Sequence, residues 1–515
     1  MNGAESLVKT LVTAGVDVCF ANPGTSEMHF VAALDDNPDM RCVLGLFEGV
    51  VTGAADGYAR MAGRPAATLL HLGPGLGNGL ANLHNARRGR SPMVNIVGEH
   101  ATYHRQYDAP LTADIEGVAR PMSHWVRTSR FAAEVARDGA EAVRAALTPP
   151  GQIATLILPA DTAWNPAPEG AAAPLPVPEP APAQPDAVAA AAAALRSGES
   201  AVLLMNGSAL RRESLALAGR VASATGARLL SDTFVARIER GAGIVPVERL
   251  PYFAEQVEEA LAGVRHMILV GARPPVSFFA YPGKASNLVP EECSVHSLAG
   301  PEGDIAGALA ELAEAVAAHG APEVAGSGRP APARDGALDP QTIAQAIGAW
   351  LPEGAIVVDE AATSGFGLPA ATAGCPPHDW LGLTGGSIGQ GLPAAVGAAV
   401  ACPDRKVLSL EADGSGMYTV QALWTMAREQ LDITVVIFAN RKYAILQVEF
   451  MRVGAHNPGP KAMSMLDLSN PDLDWVQLAR GMGMEASRAT SVAEFNAQIE
   501  SALRHRGPHL IEACI

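Results

Sequence analysis

Short apolar runs alternate with helix-length amphipathic segments along almost the whole chain. One example is A-T-L-L-H-L at 67–72, followed by G-N-G-L-A-N-L-H-N-A-R at 77–87 and M-V-N-I-V-G at 93–98. Apolar strands that are joined by helical crossovers pair in parallel and are covered by helices on both faces. The middle of the chain repeats the pattern with A-V-L-L-M-N-G and H-M-I-L-V-G-A. The sequence therefore predicts an α/β protein made of doubly wound parallel sheets.

Two proline-rich stretches divide the chain into three blocks. A chain of 515 residues is longer than one hydrophobic core normally organises, so several domains are expected. Residues 166–187 carry a proline at nearly every second or third position, which neither a helix nor a central strand tolerates. A second change of composition follows at 321–338. We therefore predict three α/β domains at 1–165, 188–320 and 339–515, with the two stretches as linkers.

The charge of the chain limits the classes of partner. A formal net charge of −16 repels nucleic acid and anionic membrane surfaces. The start of the chain lacks a basic segment followed by an apolar core, and no stretch reaches the roughly 18 apolar residues of a membrane span. We therefore expect a cytoplasmic protein that acts on a small molecule, without a nucleic-acid or membrane partner.

One segment of the C-terminal block has the pattern of a phosphate and metal site. Residues 406–442 read as a strand, an acidic-glycine turn, a helix, a second strand and an asparagine. Asp413 and Asn440 would then emerge at the same edge of a parallel sheet, and their oxygens suit Mg²⁺. Gly414 and Ser415 open the following helix, whose N-terminus attracts phosphate. The alternative is that D-G-S is only a turn with a helix cap.

The spacing of these residues resembles the G-D-G-x(n)-N signature of thiamine diphosphate enzymes. In that family, the aspartate, the asparagine and the carbonyl two residues later hold the metal. The resemblance implies that Asp413, Asn440 and the carbonyl of Lys442 bind Mg²⁺. The first glycine of the signature is Ala412 in this sequence, which leaves slightly less room beside the diphosphate.

Two further segments of the C-terminal block resemble cofactor-binding segments of the same family. L-T-G-G-S-I-G-Q-G-L-P-A-A-V-G-A is similar to the segment that carries an apolar prop beneath the bent cofactor, which is Ile388 here. I-V-V-D-E-A-A-T-S ends a strand with Glu360, Thr363 and Ser364, where similar enzymes contact the diphosphate. Helix starts and close packing are the alternative roles for the glycines of the first segment.

The N-terminal block contains a carboxylate in apolar surroundings. Glu48 opens a helix in L-G-L-F-E-G-V-V-T-G-A-A-D-G-Y-A, where the helix dipole alone would favour an acid. The segment closely resembles the activating-glutamate segment of the family. The resemblance implies that Glu48 binds N1′ of the cofactor's pyrimidine and promotes loss of the C2 proton.

N-P-G-T-S-E at 22–27 and G-P-G-L-G-N-G at 73–79 are expected to be polar loops at a sheet edge. Both resemble the benzoylformate decarboxylase and acetolactate synthase branch. By this resemblance, Thr25 would bind the substrate carboxylate and His71 would relay protons. The alternative for His71 is a core histidine whose hydrogen bonds are satisfied within the protein. Decarboxylases of this branch use a second histidine from the middle domain, where this sequence offers Phe278 or Phe279.

The resemblance implies pyrimidine-binding, central and diphosphate-binding domains, and decarboxylation of a 2-oxo acid through an enamine. We therefore expect a lyase or transferase that depends on thiamine diphosphate and Mg²⁺, a 2-oxo-acid decarboxylase/carboligase. The near alternative is an acetolactate synthase-type transferase. The other is a non-catalytic relative, suggested by Ala412 and the missing second histidine.

The resemblance also implies an assembly. Because a glutamate of one subunit meets the diphosphate site of another in this family, we expect a homodimer or homotetramer with active sites at the subunit interface. No flavin is expected, since the short middle block has no glycine-rich dinucleotide loop after its first strand.

Overall fold

The first of three sheets lies in the N-terminal block of the computed structural model, which describes residues 1–515. Six parallel strands form it, in the spatial order β2-β1-β3-β4-β6-β5. These strands are β1 Val18–Asn22, β2 Arg41–Leu44, β3 Ala66–Leu70, β4 Met93–Glu99, β5 Trp125–Thr128 and β6 Ile153–Pro159. Strands β3, β4 and β6 are buried along their whole length, as strands covered on both faces must be.

The middle block provides the second sheet and one strand of the third. Its strands are β7 Ala201–Met205, β8 Arg228–Ser231, β9 Ile238–Arg240, β10 Glu248–Arg249, β11 His266–Val270 and β12 Ser294–Ala299. All except β9 form a parallel sheet in the order β10-β8-β7-β11-β12.

The third sheet has seven strands in the order β17-β18-β16-β15-β13-β14-β9. Its C-terminal strands are β13 Ile356–Glu360, β14 His378–Gly382, β15 Val407–Ala412, β16 Ile433–Ala439, β17 Glu485–Ala489 and β18 His509–Cys514. These six are parallel, whereas β9 is antiparallel to β14 at the edge. The predicted α/β class with three parallel sheets is confirmed, and the middle block additionally contributes this edge strand.

Helices cover the sheets. In the N-terminal block they are Gly3–Thr13, Met28–Asp35, Glu48–Ala62, Leu72–Gly89, Ile115–Ala119, Val135–Leu147 and Ala160–Trp164. The middle block has Pro185–Arg196, Arg212–Thr225, Ala254–Ala260 and Ile305–Ala315. The C-terminal block has Pro340–Trp350, Leu368–Ala371, Gly391–Ala401, Asp413–Gly416, Ala422–Arg428, Ala444–Arg452, Pro460–Ser464, Trp475–Gly481 and Val492–Arg504. The first helix of the middle block begins inside the predicted linker 166–187, and the exact domain bounds stay a prediction.

The glycine-rich segment 73–79 is helical, so its prediction as a polar loop is wrong. It forms the first two turns of helix Leu72–Gly89, called the His71 helix because His71 is its N-cap. Gly75 and Gly79 allow close packing rather than a turn, whereas Gly77 faces open space. A Cβ at Gly75 would lie 3.0 Å from Oε1 of Glu48, and a Cβ at Gly79 would lie 2.9 Å from the Thr52 side chain.

The N-terminal and C-terminal blocks share one apolar core. Helix Glu48–Ala62, the Glu48 helix, packs directly on helix Gly391–Ala401, the Gly391 helix. A Cβ at Gly57 would lie 2.1 Å from the carbonyl oxygen of Ala394, and one at Gly397 would lie 1.8 Å from that of Ala54. The two helix backbones therefore touch, which only glycine permits. Across the whole chain, we find no helix that combines the length and the apolar character needed to cross a membrane.

Candidate active site

Asp413 and Asn440 lie at the carboxyl ends of neighbouring parallel strands, β15 and β16. Asp413 is 2% exposed, and its oxygens accept the backbone N–H groups of Gly414 at 2.9 Å and Arg441 at 2.6 Å. Burial raises the pKa of Asp413, while these backbone hydrogen bonds oppose the rise. Arg441 has a φ of +55°, and Asn440 Oδ1 accepts the N–H of Lys442 at 3.0 Å. The 440–442 turn is therefore folded against the Asp413 carboxylate.

The oxygen donors at this edge would suit Mg²⁺. The structure contains no cluster of three or more histidine, cysteine, aspartate or glutamate side chains suited to a metal ion. One carboxylate, one amide oxygen and one backbone carbonyl are the hard oxygen donors that Mg²⁺ takes, with phosphate oxygens and water completing its shell. Each oxygen of Asp413 accepts one N–H group and keeps a further lone pair. A cleft of about 460 Å³ opens at this edge, lined by Asn440, Lys442 and Asp467 among others.

Thr363 and Ser364 lie at the same edge of the third sheet. They belong to the 3₁₀ turn Ala362–Gly365, which follows β13, and β13 pairs in parallel with β15. Ser364 is buried and Thr363 is half-buried. The structure therefore brings together the C-terminal residues predicted to bind metal and diphosphate, on adjacent strand ends.

Glu360 is bonded within the fold, while its predicted contact with the diphosphate stays a prediction. It is 3% exposed, and its two oxygens accept the N–H groups of Gly389 at 2.9 Å and Gly391 at 2.6 Å. Glu411 lies beside it, and burial together with the Glu360 charge raises the pKa of Glu411 well above its usual value. Sequence reasoning missed this carboxyl pair, although an acid within the apolar run V-L-S-L-E-A was a signal.

Glu48 is the first residue of its helix, as predicted, and is 6% exposed. Asn78 of the His71 helix donates a hydrogen bond to its Oε2 at 2.9 Å. A Cβ at Gly75 would lie 3.0 Å from Glu48 Oε1 and 3.2 Å from the Cβ of His71. Glu48 and His71 therefore lie against the same glycine, as neighbours in one site.

His71 is paired with a carboxylate that sequence reasoning missed. Its Nδ1 lies 2.8 Å from Oε2 of Glu27, which also accepts the N–H of Gly24 at 2.7 Å. Burial raises the pKa of Glu27, and the hydrogen bonds to His71 and Gly24 oppose the rise. Thr25 begins the 3₁₀ turn Thr25–Glu27 and is exposed. The signal for Glu27 was its place in N-P-G-T-S-E, but its partner lies 44 residues away.

Phe278 of the middle block lies against the segment that carries Ile388. A Cβ at Gly386 would lie 2.7 Å from the Phe278 ring. The ring also contacts Phe234 and Tyr252, with centroids 5.2 and 5.5 Å away, and Phe279 at 4.7 Å. An aromatic cluster therefore packs against the segment that carries Ile388, and the ring nearest to that segment, Phe278, has no proton to donate.

The N-terminal residues Thr25, Glu48 and His71 form one group. The strand-end residues form another, which consists of Thr363, Ser364, Asp413 and Asn440. No hydrogen bond of the single chain joins Glu48 or His71 to Asp413 or Asn440.

Two family models match the chain. Residues 1–120 match the thiamine pyrophosphate enzyme N-terminal TPP binding domain, and residues 371–513 match the C-terminal TPP binding domain. The chain is 59% identical to "Putative acetolactate synthase large subunit IlvX" of Mycobacterium tuberculosis, over 100% of this chain and 99% of the relative. It is 30% identical to the benzoylformate decarboxylase of Pseudomonas aeruginosa, over 97% of this chain and 96% of the relative.

A solved structure agrees with these matches. The thiamine diphosphate-dependent 4-hydroxybenzoylformate decarboxylase of Rhodococcus jostii superposes with a TM-score of 0.86 at 25% identity. The superposition covers 99% of this chain and 98% of that protein. With both binding domains matched and full-length relatives at 59% and 30% identity, the chain belongs to the thiamine pyrophosphate enzyme family.

Proposed function

We propose that the protein is a 2-oxo-acid decarboxylase/carboligase that uses thiamine diphosphate and Mg²⁺. The observation that carries this proposal is the buried Asp413 carboxylate, folded against the 440–442 turn at the edge of the third sheet. Asp413, Asn440 and the Lys442 carbonyl would hold the metal. Gly414, Ser415, Thr363 and Ser364 lie at the same strand ends and would contact the diphosphate.

The residues around the reacting end have separate roles. Bound thiamine diphosphate supplies a carbon nucleophile for the 2-oxo carbonyl and an electron sink for the bond that breaks. Ile388 would provide an apolar support for the cofactor, and the shielded carboxyl group of Glu48 would share a proton with N1′ of its pyrimidine ring. The hydroxyl of Thr25 binds the substrate carboxylate. His71 exchanges a proton with the substrate oxygen, and Glu27 stabilises its protonated form.

We propose that the site is completed by a second copy of the chain, in a homodimer or homotetramer. No direct hydrogen bond joins the two residue groups within one chain, as expected if a partner subunit completes the site. Large apolar side chains near the strand-end group are also left open to solvent. Phe366 is 53% exposed and Tyr418 is 54% exposed, and a partner subunit would cover them.

The test is a product assay with purified protein, thiamine diphosphate and Mg²⁺ over a panel of aliphatic and aromatic 2-oxo acids. We expect CO₂ from at least one acid. Glu48→Gln should bind the cofactor normally and lose nearly all turnover, because the amide keeps the contact without supporting the proton shift. Near-normal turnover in Glu48→Gln, or no CO₂ from any acid with wild-type protein, would contradict the proposal.

An acetolactate synthase-type transferase is the second candidate, and the position of Phe278 favours its carboligation chemistry over aldehyde release. Releasing an aldehyde requires a proton at carbon, and a phenyl ring beside the Ile388 segment cannot donate one. Loss of one general acid costs about 10²–10⁴ in such a step. We expect a high ketone-to-aldehyde ratio when an acceptor carbonyl is supplied, and Phe278→His should lower it. Nearly quantitative free aldehyde from wild-type protein with good acceptors would exclude this candidate.

A further inference from the structure

Ile388 lies between two residues whose backbones are held by buried side chains. On one side, Asn85 of the His71 helix pairs with Ser387 in both directions. Its Nδ2 donates to the Ser387 carbonyl at 2.7 Å, and its Oδ1 accepts the Ser387 N–H at 3.2 Å. Asn85 is fully buried. A side-chain amide that satisfies both groups of one peptide residue fixes that residue's position and orientation.

On the other side of Ile388, the backbone of Gly389 is held from three directions. Its N–H donates to Glu360 at 2.9 Å. Its carbonyl accepts from Thr419 at 3.0 Å and from Asn82 at 3.1 Å. Asn82 also donates to the carbonyl of Gly49, at 2.8 Å, and Gly49 is the neighbour of Glu48. The His71 helix thus connects the start of the Glu48 helix to the segment that carries Ile388.

The backbone of the segment also approaches the His71 helix closely. Gly386 and Gly389 have φ values of +72° and +93°, which only glycine adopts readily. A Cβ at Gly385 would lie 2.5 Å from Oδ1 of Asn85, so the backbone also approaches the asparagine closely. Asn85 and Asn82 are themselves hydrogen-bonded at 3.0 Å. Loops without such contacts open easily, whereas these hydrogen bonds hold the segment that carries Ile388 in place.

We propose that Asn85 is a positioning residue, which acts through Ile388 by fixing the backbone beneath its side chain. This inference rests on the proposed function, because it presumes that Ile388 supports the cofactor. An apolar support works only if it stays in place. A displacement of about 1 Å at a reacting centre can cost about 100-fold in rate.

The test compares Asn85→Ala, Ile388→Ala and the double variant with wild-type protein. In cofactor-free protein, amide hydrogen exchange in peptides covering 384–392 should rise about ten-fold in Asn85→Ala, the size expected for losing a buried hydrogen bond. By calorimetry with Mg²⁺, thiamine diphosphate should bind about ten-fold more weakly. On the 2-oxo acid found active, kcat should fall and KM should stay unchanged. In cofactor affinity and kcat, the double variant should match Ile388→Ala, because Asn85 then has no apolar support left to position.

Asn95→Ala is the matched control. Asn95 is fully buried in the same block and bonds only to Thr68 and Thr155 within the first sheet. It should lose stability while cofactor affinity stays normal. If Asn85→Ala fails to fold, Asn85→Asp replaces it, since the isosteric carboxylate still accepts the Ser387 N–H but repels the carbonyl. In Asn85→Asp, amide exchange in 384–392 and the affinity for thiamine diphosphate should change in the same direction as in Asn85→Ala.

Additive losses in the double variant, or wild-type exchange and affinity in the Asn85 variants, would overturn this inference alone. Wild-type protein that does not bind thiamine diphosphate at all would overturn the proposed function and this inference with it.

Discussion

The pairing of His71 with Glu27 leads to a specific prediction for Glu27→Gln. Oε2 of Glu27 lies 2.8 Å from Nδ1 of His71 and accepts the N–H of Gly24. A glutamine of the same size places its carbonyl oxygen there and keeps both contacts. Only the negative charge is lost. A hydrogen bond to a charged group contributes about 1.5–3 kcal/mol, against about 1 kcal/mol for a neutral one. The protonated form of His71 therefore loses about 0.5–2 kcal/mol of stabilisation.

A loss of this size lowers kcat by about 2- to 30-fold, if proton transfer at His71 limits turnover. The assay is steady-state turnover on the active 2-oxo acid, with cofactor affinity measured alongside and expected to stay normal. His71→Ala should cost more, about 10²–10⁴. Adding Glu27→Gln to His71→Ala should change nothing further, because the carboxylate acts through the imidazole.

The pH dependence provides a second check on the same pair. Burial raises the pKa of Glu27 above that of a free carboxyl group. As the pH falls through this raised pKa, Glu27 becomes neutral, and wild-type turnover should fall to the level of Glu27→Gln. The variant should lack this acid limb. Wild-type kcat in Glu27→Gln, together with an inactive His71→Ala, would refute the reasoning that Glu27 supports the charged histidine.

Three further predictions concern stability and ligands. Gly397→Ala should lower the free energy of unfolding by about 1–3 kcal/mol in urea titrations, because its Cβ would enter the Glu48 helix, whereas Gly77→Ala faces open space and should not destabilise. Burial raises the pKa of Asp232 to about 6. Between about pH 4 and pH 7.5 the folded protein loses a proton that the unfolded chain has already lost, so the stability of wild-type protein relative to Asp232→Asn should fall by up to about 3 kcal/mol. A stability difference that stays constant over this pH range would contradict the prediction. Purified protein should show no flavin absorbance at about 450 nm, because the Arg90 guanidinium lies at a strand end of the second sheet, where it donates to the carbonyl of Gly271 at 3.1 Å.

The strand-end residues were predictable because their relation is local in the fold. Asp413 and Asn440 end two strands that are consecutive along the chain and joined by a helical crossover, and such strands lie side by side in a parallel sheet. Glu48 was predictable for a similar reason, since an acid before a long apolar, small-residue run marks a helix start.

The helical state of 73–79 was not predictable from local preference. Glycine disfavours helices by about 1 kcal/mol per residue, so a segment with four glycines and a proline reads as a loop. The contacts that reverse this preference come from Glu48 and Thr52, on a different helix. In the same way, β9 joins the third sheet through pairing of Trp380 with Ile238, which no pattern near either strand reveals.

The polar contacts around Ile388 were hidden for the same reason. Asn85 and Ser387 are 302 residues apart, and Glu360 and Gly389 are 29 apart. An asparagine on a helix and a glutamate at a strand end are ordinary residues in their own segments. Their roles appear only when the N-terminal and C-terminal blocks pack against each other.

The central claim is that the edge formed by Asp413 and the 440–442 turn holds the cofactor through Mg²⁺. Calorimetric titration of thiamine diphosphate, with Mg²⁺ and then with chelator, tests it most directly in wild-type protein, Asp413→Asn and the control Asp467→Ala. Asp467 lines the same cleft but lies outside the proposed ligand set. We predict Mg²⁺-dependent binding by wild-type protein and by Asp467→Ala, and a loss of more than about 100-fold in Asp413→Asn. Tight binding by Asp413→Asn, or binding that chelator leaves unchanged, would contradict the account.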